Sequence, residues 1–211
     1  MDLPNIQRTL EFLPGIIIGL TVHEYCHAVM AQRCGDTTSR DQGRISLNPM
    51  KHIDPLGFIM LLVAGFGWAK PVQFNEQNLR NPKKDIMKIA LAGPLSNAAI
   101  AMIMSVLFSI YSNLVPSYNQ IIYEVAFLTI YVNWGLFIFN LIPIPPLDGA
   151  HILFNRLRRF PAVHDALYKY GSLLFLGLLI ISSVTKINLL PIGPVIQFFC
   201  NGFLSLVGIS Y

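Results

Sequence analysis

The chain has 211 residues, a net charge of +4, and 54% apolar but only 12% charged residues. That charged share is about half of what a soluble globular domain carries. With a mean hydropathy of +0.54 it excludes a wholly water-facing surface, so a lipid bilayer is the expected solvent for much of the chain. The basic residues fall in short runs between apolar segments, without the aromatic interleaving of a nucleic-acid surface; the charge reads as topology, and no nucleic-acid partner is expected.

Met1 to Glu11 lacks the basic start of a secretory signal, so the first apolar segment is expected to stay in the protein. A spanning helix needs about 20 mostly apolar residues. The first candidate runs from about Phe12 to Arg33. Gly43 to Pro49 and Lys70 to Asn75 alternate in a strand-like way and suggest a small sheet at the membrane edge. Between them, Leu56 to Ala69 is short and glycine-rich, which predicts a re-entrant or membrane-edge segment. Further spans are expected over about Ile86 to Leu114, Ile121 to Ile142 and Tyr168 to Val184. A last one, Leu189 to Ile209, carries Pro191 and Pro194 and should start as a broken or interfacial segment. The expected fold is an all-α polytopic membrane protein with five to six transmembrane segments and a small membrane-edge β element, forming a single domain over residues 1–211. The three cysteines, Cys26, Cys34 and Cys200, suggest no disulfide framework.

Basic residues orient these segments. They follow the first helix (Arg33, Arg40, Arg44, Lys51), precede the third (Lys70, Arg80, Lys83, Lys84) and follow the fourth (Arg156, Arg158, Arg159). None lies between Ser112 and Gln120. By the positive-inside rule the three basic connections are cytoplasmic, with the N-terminus outside and the C-terminus inside.

His23-Glu24-Tyr25-Cys26-His27 is an HExxH pattern. Residues four apart on a helix share a face, so His23 and His27 can bind one zinc ion, and Glu24 can deprotonate a metal-activated water. On a solvated helix the pattern arises by chance. Within an apolar helix each ionisable group costs about 2.5–3.5 kcal/mol or more unless paired or metal-bound, so three together need a common reason. A third protein ligand is required, and Asp148 in NLIPIPPLDG falls at comparable depth after the fourth helix; a surface aspartate in a Pro/Gly turn is the competing reading. His52 reads as orienting the re-entrant segment, His151 as a partner or alternative ligand near the metal, and His164 as solvated. Cys26 reads as a packing residue, with thiolate ligation left open.

HEYCHA, GDTTSRDQGRISLNPMKHIDPLG, GWAKPV, AGPLSN and NLIPIPPLDG, in that order, resemble the site-2 protease family of intramembrane zinc metalloproteases, in its compact form without PDZ or CBS domains. The resemblance implies one zinc per chain held by His23, His27 and Asp148, with Glu24 as general base. It implies a three-helix catalytic core, made by the first, third and fourth helices. This places the core at about residues 12–155, with accessory helices at about 165–211. Asn97 and Asn140 match family positions; they would bind the substrate backbone or the oxyanion, or else hydrogen-bond between helices. The expected partners are single-span or membrane-anchored protein substrates, in a prokaryotic cell membrane with the site toward the cytoplasm. Oligomeric state has no sequence signal. A metal-handling or zinc-transport protein using the same His/Asp site is the alternative.

Overall fold

The computed structural model describes residues 6–64, 67–115, 117, 119–157, 159–185 and 191–209. Gly65, Phe66, Arg158, Leu189 and Leu190, counted above in the second segment, the third basic run and the last segment, lie outside the described residues.

Asparagine begins two of the long helices. The Asn81 side chain accepts the Lys84 N–H ahead of Pro82, whose fixed φ suits a first turn, and Asn119 accepts the Ile121 and Ile122 N–H groups. Among the described residues, four helices are long and apolar enough to cross a membrane: α1 (Ile6–Arg33), α4 (Pro82–Leu114), α5 (Gln120–Asn140) and α7 (Pro161–Thr185). The chain is a multi-pass membrane protein. Shorter helices are α2 (Thr38–Asp41), α3 (Pro55–Ala64), α6 (Gly149–Leu157) and the apolar α8 (Ile192–Leu206).

The centre is the triplet α1, α4 and α5. Gly15 and Gly19, one turn apart on α1, let it close on α5: a Cβ on Gly15 would lie 2.8 Å from Thr129 Cα, and one on Gly19 2.8 Å from Asn133 Oδ1. Without a hydrophobic drive between helices in lipid, such close backbone approach is what makes packing favourable. On the other side of α5, Ile196, Cys200 and Leu204 of α8 join Ala98, Ala101, Phe108, Ile130 and Trp134 in the main apolar core. α8 starts level with Gly135 and ends where Ser109 donates to the Val207 carbonyl. It therefore runs antiparallel to α5 and ends at the opposite end of the bundle from the basic connections. This corrects the expected C-terminal placement: the helix begins deep in the bundle after Pro191, so its 15 residues lead away from the basic side.

The re-entrant expectation for residues 56–69 agrees with the structure. α3 has ten residues, about 15 Å of rise. Ile53 and Ala69 form an antiparallel bridge, and Lys70 N–H donates to the His52 carbonyl at 2.7 Å, so both arms meet at one level. Gly57 lies beneath the returning arm, where a Cβ would stand 2.2 Å from the Trp68 carbonyl oxygen.

Apart from that bridge there is no β structure among the described residues, so the expected small sheet is not formed. Side chains occupy the backbone groups that a neighbouring strand would pair. The Arg44 guanidinium donates to the Lys51 and Lys70 carbonyls, Ser39 Oγ to the Gln73 carbonyl at 2.8 Å, and Glu24 accepts from Val72 N–H at 2.9 Å. Asp36, fully buried, clamps the same segment. Its carboxylate accepts from Thr38 Oγ1 at 2.7 Å, Asn78 Nδ2 at 2.8 Å and Asn75 N–H at 3.0 Å.

Burial opposes ionisation of Asp36, but the hydrogen bonds from Thr38, Asn78 and Asn75 outweigh it and hold the pKa below the ordinary 3.8. A carboxyl with a lowered folded pKa stabilises the fold above its unfolded pKa, and that stability is lost as pH falls through the folded value. Asp36→Asn should therefore lower stability by about 1–3 kcal/mol at neutral pH and flatten the acid limb. Thermal unfolding in detergent from about pH 6 to pH 3 checks this. Parallel acid limbs for variant and wild type would contradict it.

Candidate metal centre

α1 presents His23 and His27 on one face, toward α4, and both are buried. The second hydrogen bond of each ring sets its tautomer. His27 Nδ1 lies 2.7 Å from the Ile89 carbonyl, which can only accept, so Nδ1 carries the proton. His23 Nδ1 lies 2.7 Å from Asn97 Oδ1. That oxygen is fixed as the acceptor because Asn97 Nδ2 donates to the Gly19 carbonyl at 3.1 Å and to Asn133 Oδ1 at 3.0 Å. In the neutral rings both Nε2 atoms therefore keep lone pairs, and they stand only 2.9 Å apart.

Asp148 completes the cluster. Its Oδ2 lies 3.1 Å from His23 Nε2 and 3.3 Å from His27 Nε2, and it is buried without a hydrogen-bond donor. Gly149 makes this reach possible. A Cβ there would collide with the Leu141 carbonyl at 2.4 Å, so only glycine lets α6 start directly over the end of α5. Three buried acceptors converging without a proton between them repel one another unless a cation sits among them. The donor set, two imidazoles and a carboxylate, is that of a zinc site with an open position. Tetrahedral bonds of about 2.0–2.1 Å place ligand atoms roughly 3.3 Å apart, close to the spacings found. The residues fit the metal.

Gly93 of α4 closes one side of the cluster: a Cβ there would lie 2.3 Å from His27 Nε2 and 2.6 Å from His23 Nε2. At Gly93 the missing side chain thus lets α4 close on α1. The other side is a cleft of about 470 Å³. Glu24, Asn140, Phe74, His151 and Phe175 line it with the three donors. Glu24 is buried and faces the 70–75 segment through its bond from Val72 N–H.

The two asparagines separate. Asn140 lines the cleft while its amide donates to the Leu136 carbonyl at 3.0 Å. Asn97 is fully buried behind His23, away from the cleft, with its amide committed to His23, Gly19 and Asn133. Of the two readings given for Asn97, the structure places it in the interhelical one. His151 contributes a ring to the cleft wall, 6.0 Å from Phe74, and stands outside the three-donor group. His52 is buried at the foot of the re-entrant arm, with Nε2 at 2.7 Å from the Ser46 carbonyl. Cys26 is likewise outside the donor group.

Sequence reasoning missed Asn133. It is fully buried, and its Nδ2 donates to the Gly15 and Thr129 carbonyls while its Oδ1 holds Asn97. The signal was present: an asparagine within an apolar spanning helix faces a partner or a function. Outer partners of this kind typically carry 10–100-fold of metal affinity. Asn97→Ala should weaken zinc binding by about 10–100-fold, and Asn133→Ala by less, about tenfold. Competition with a calibrated chelator checks both; unchanged affinity for Asn97→Ala would remove its role in holding His23.

Residues 104–178 match the family model Peptidase family M50. The chain is 37% identical to YwhC of Bacillus subtilis over 172 residues, covering 78% of each chain. It is 30% identical to MJ0611 of Methanocaldococcus jannaschii, covering 71% of this chain and 73% of the relative. Rip2 of Mycolicibacterium smegmatis is 28% identical over 82% of this chain and 68% of its own length. All three carry the designation zinc metalloprotease. No solved structure matches the chain. The chain belongs to peptidase family M50, the site-2 proteases, and is a zinc metalloprotease.

Proposed function

We propose that the protein is an intramembrane endopeptidase that hydrolyses peptide bonds of single-span or membrane-anchored protein substrates. One zinc ion is held by His23, His27 and Asp148, and the site faces the cytoplasm. The observation that carries this reading is the convergence of two imidazole Nε2 atoms and one carboxylate oxygen, the imidazoles on a spanning helix, at the wall of a cleft that also holds Glu24. The side assignment rests on the basic connections, which cluster at the cleft end of the bundle.

Zinc, when bound, supplies Lewis acidity that polarises the scissile carbonyl and acidifies a water. Glu24 takes the proton from that water. Val72 N–H holds Oε2 of the carboxylate at 2.9 Å, which leaves Oε1 for the proton. As the water oxygen bonds to the carbonyl carbon and the C–N bond then breaks, Glu24 would deliver that proton to the leaving nitrogen; because water is the nucleophile, no covalent acyl-enzyme forms. Asn140, on the cleft wall, is placed to donate to the substrate backbone or the developing oxyanion. The substrate backbone must be extended to expose a peptide bond, and the cleft wall beside it is formed by Pro71, Val72 and Phe74.

The test is the position of the cut. A single-span peptide in liposomes should be cleaved within its apolar span or within about five residues of its end, as read by mass spectrometry of the products. Cleavage only in its water-exposed flanks would overturn the intramembrane reading.

A further inference from the structure

Three cavities share walls. The catalytic cleft meets an apolar cavity of about 340 Å³ through Leu20, Leu136 and Phe139. That cavity meets a third, of about 490 Å³, through Phe12 and Tyr131. On α1 the lining residues include Arg8, Phe12, Ile16, Leu20 and Glu24, every fourth position, a row that winds slowly around the helix toward the cleft. On α5 they include Leu128, Tyr131, Gly135 and Phe139, along one stripe. Gly15 and Gly19 hold the two helices together beside these rows, and the shared lining residues make the three cavities one continuous groove.

From Arg8 to Glu24 the groove rises about 24 Å, most of the roughly 30 Å hydrocarbon thickness. Its chemistry changes along its length. Arg8, Gln197 and Asn201 stand at the far end, the middle is apolar, and the near end opens on Glu24. This polar-apolar-polar profile matches a spanning peptide with polar flanks. A phospholipid tail covers one leaflet, about half that thickness, and would leave the rest unfilled.

We propose that this groove docks one face of the substrate's transmembrane helix, which lies along α1 and α5 and unwinds at its near end into the cleft. The assignment rests on the endopeptidase reading and adds the path by which the substrate reaches the site. Ile16 and Tyr131 are then specificity-determining residues for the span, remote from the bond that breaks.

The test uses full-length protein in liposomes of phosphatidylethanolamine and phosphatidylglycerol. The probe is a synthetic peptide of about 30 residues, with one leucine-rich span broken by Asn-Gly near its site-side end. In the Glu24→Gln background, a photoreactive phenylalanine analogue replaces Ile16, Tyr131 or, as control, the lipid-facing Ile103, which is 60% exposed on α4. Crosslinks to the peptide from positions 16 and 131 but not 103 are expected. In the active enzyme, Ile16→Trp should raise KM about tenfold, leave kcat within about twofold and keep the zinc content; Ile103→Trp should change neither constant. Crosslinks from position 16 to lipid alone or to a second copy of the chain, or an unchanged KM for Ile16→Trp, would overturn the proposal. Crosslinking does not need turnover. Crosslinked peptide without cleavage by the wild type would sink the hydrolase reading and leave the groove assignment standing.

Discussion

Glu24→Gln is expected to abolish measurable proteolysis while leaving zinc bound. The exchange keeps size and shape, and the amide oxygen can still accept from Val72 N–H, so the 70–75 segment stays in place. What is lost is the ability to take a proton from water and return it to the leaving nitrogen. Proton transfer by a positioned side chain contributes about 10²–10⁴-fold, so kcat/KM should fall by that factor. Zinc content should not change, because Glu24 stands outside the three-donor group. Cleavage assays in liposomes, paired with metal analysis of the same preparation, read both quantities. Cleavage within a few-fold of wild type would move the general base elsewhere. A transporter using the same donors would show a change in metal flux and none in cleavage.

A single methyl group at Gly93 should be nearly as damaging by a different route. The Cβ of Gly93→Ala would lie 2.3 Å from His27 Nε2, inside any tolerable contact. Either the imidazoles rotate and give up their bonds to Asn97 and Ile89, or α4 moves away from α1. Zinc affinity should fall by at least about 100-fold, on the scale of losing an orienting partner for each histidine. Overpacking should lower stability by about 1–3 kcal/mol. Gly177→Ala is the control, since nothing lies within 4 Å of a Cβ there; it should be neutral or slightly stabilising through helix propensity. Chelator competition and thermal unfolding distinguish the two. Normal zinc affinity in Gly93→Ala would mean that α4 does not close the site.

The metal donors were legible because ionisable groups are expensive in an apolar segment, so His23, Glu24 and His27 stood out against their surroundings. Asp148 was harder, since a Pro/Gly turn excuses an aspartate; depth, read from the charge pattern, and the resemblance carried by NLIPIPPLDG connected it to the histidines. The re-entrant arm was legible from length and from the need to keep two basic runs on one side. The strands were not. Alternation at 43–49 and 70–75 is shared by true strands and by extended chain whose backbone groups are taken by side chains; Lys51 and His52 do this at Gly43 and Ser46, and Arg44, Asp36, Ser39 and Glu24 do it along 70–75. α6, nine residues after a proline-rich turn, is too short to announce itself. The direction of α8 depends on packing against Trp134 and Phe108, a contact that no local pattern encodes. Asn133 and Asn97 look alike in sequence; which one touches a histidine is decided by how α1, α4 and α5 pack together.

Zinc per chain in the purified protein, wild type against Asp148→Ala, tests the centre of this account most directly. The account predicts near one equivalent in the wild type. In the variant, two imidazoles alone should fail to retain the ion through dialysis against a chelator. A full equivalent retained by Asp148→Ala, with unchanged affinity, would show that the carboxylate beyond α5 does not hold the metal and would contradict the account.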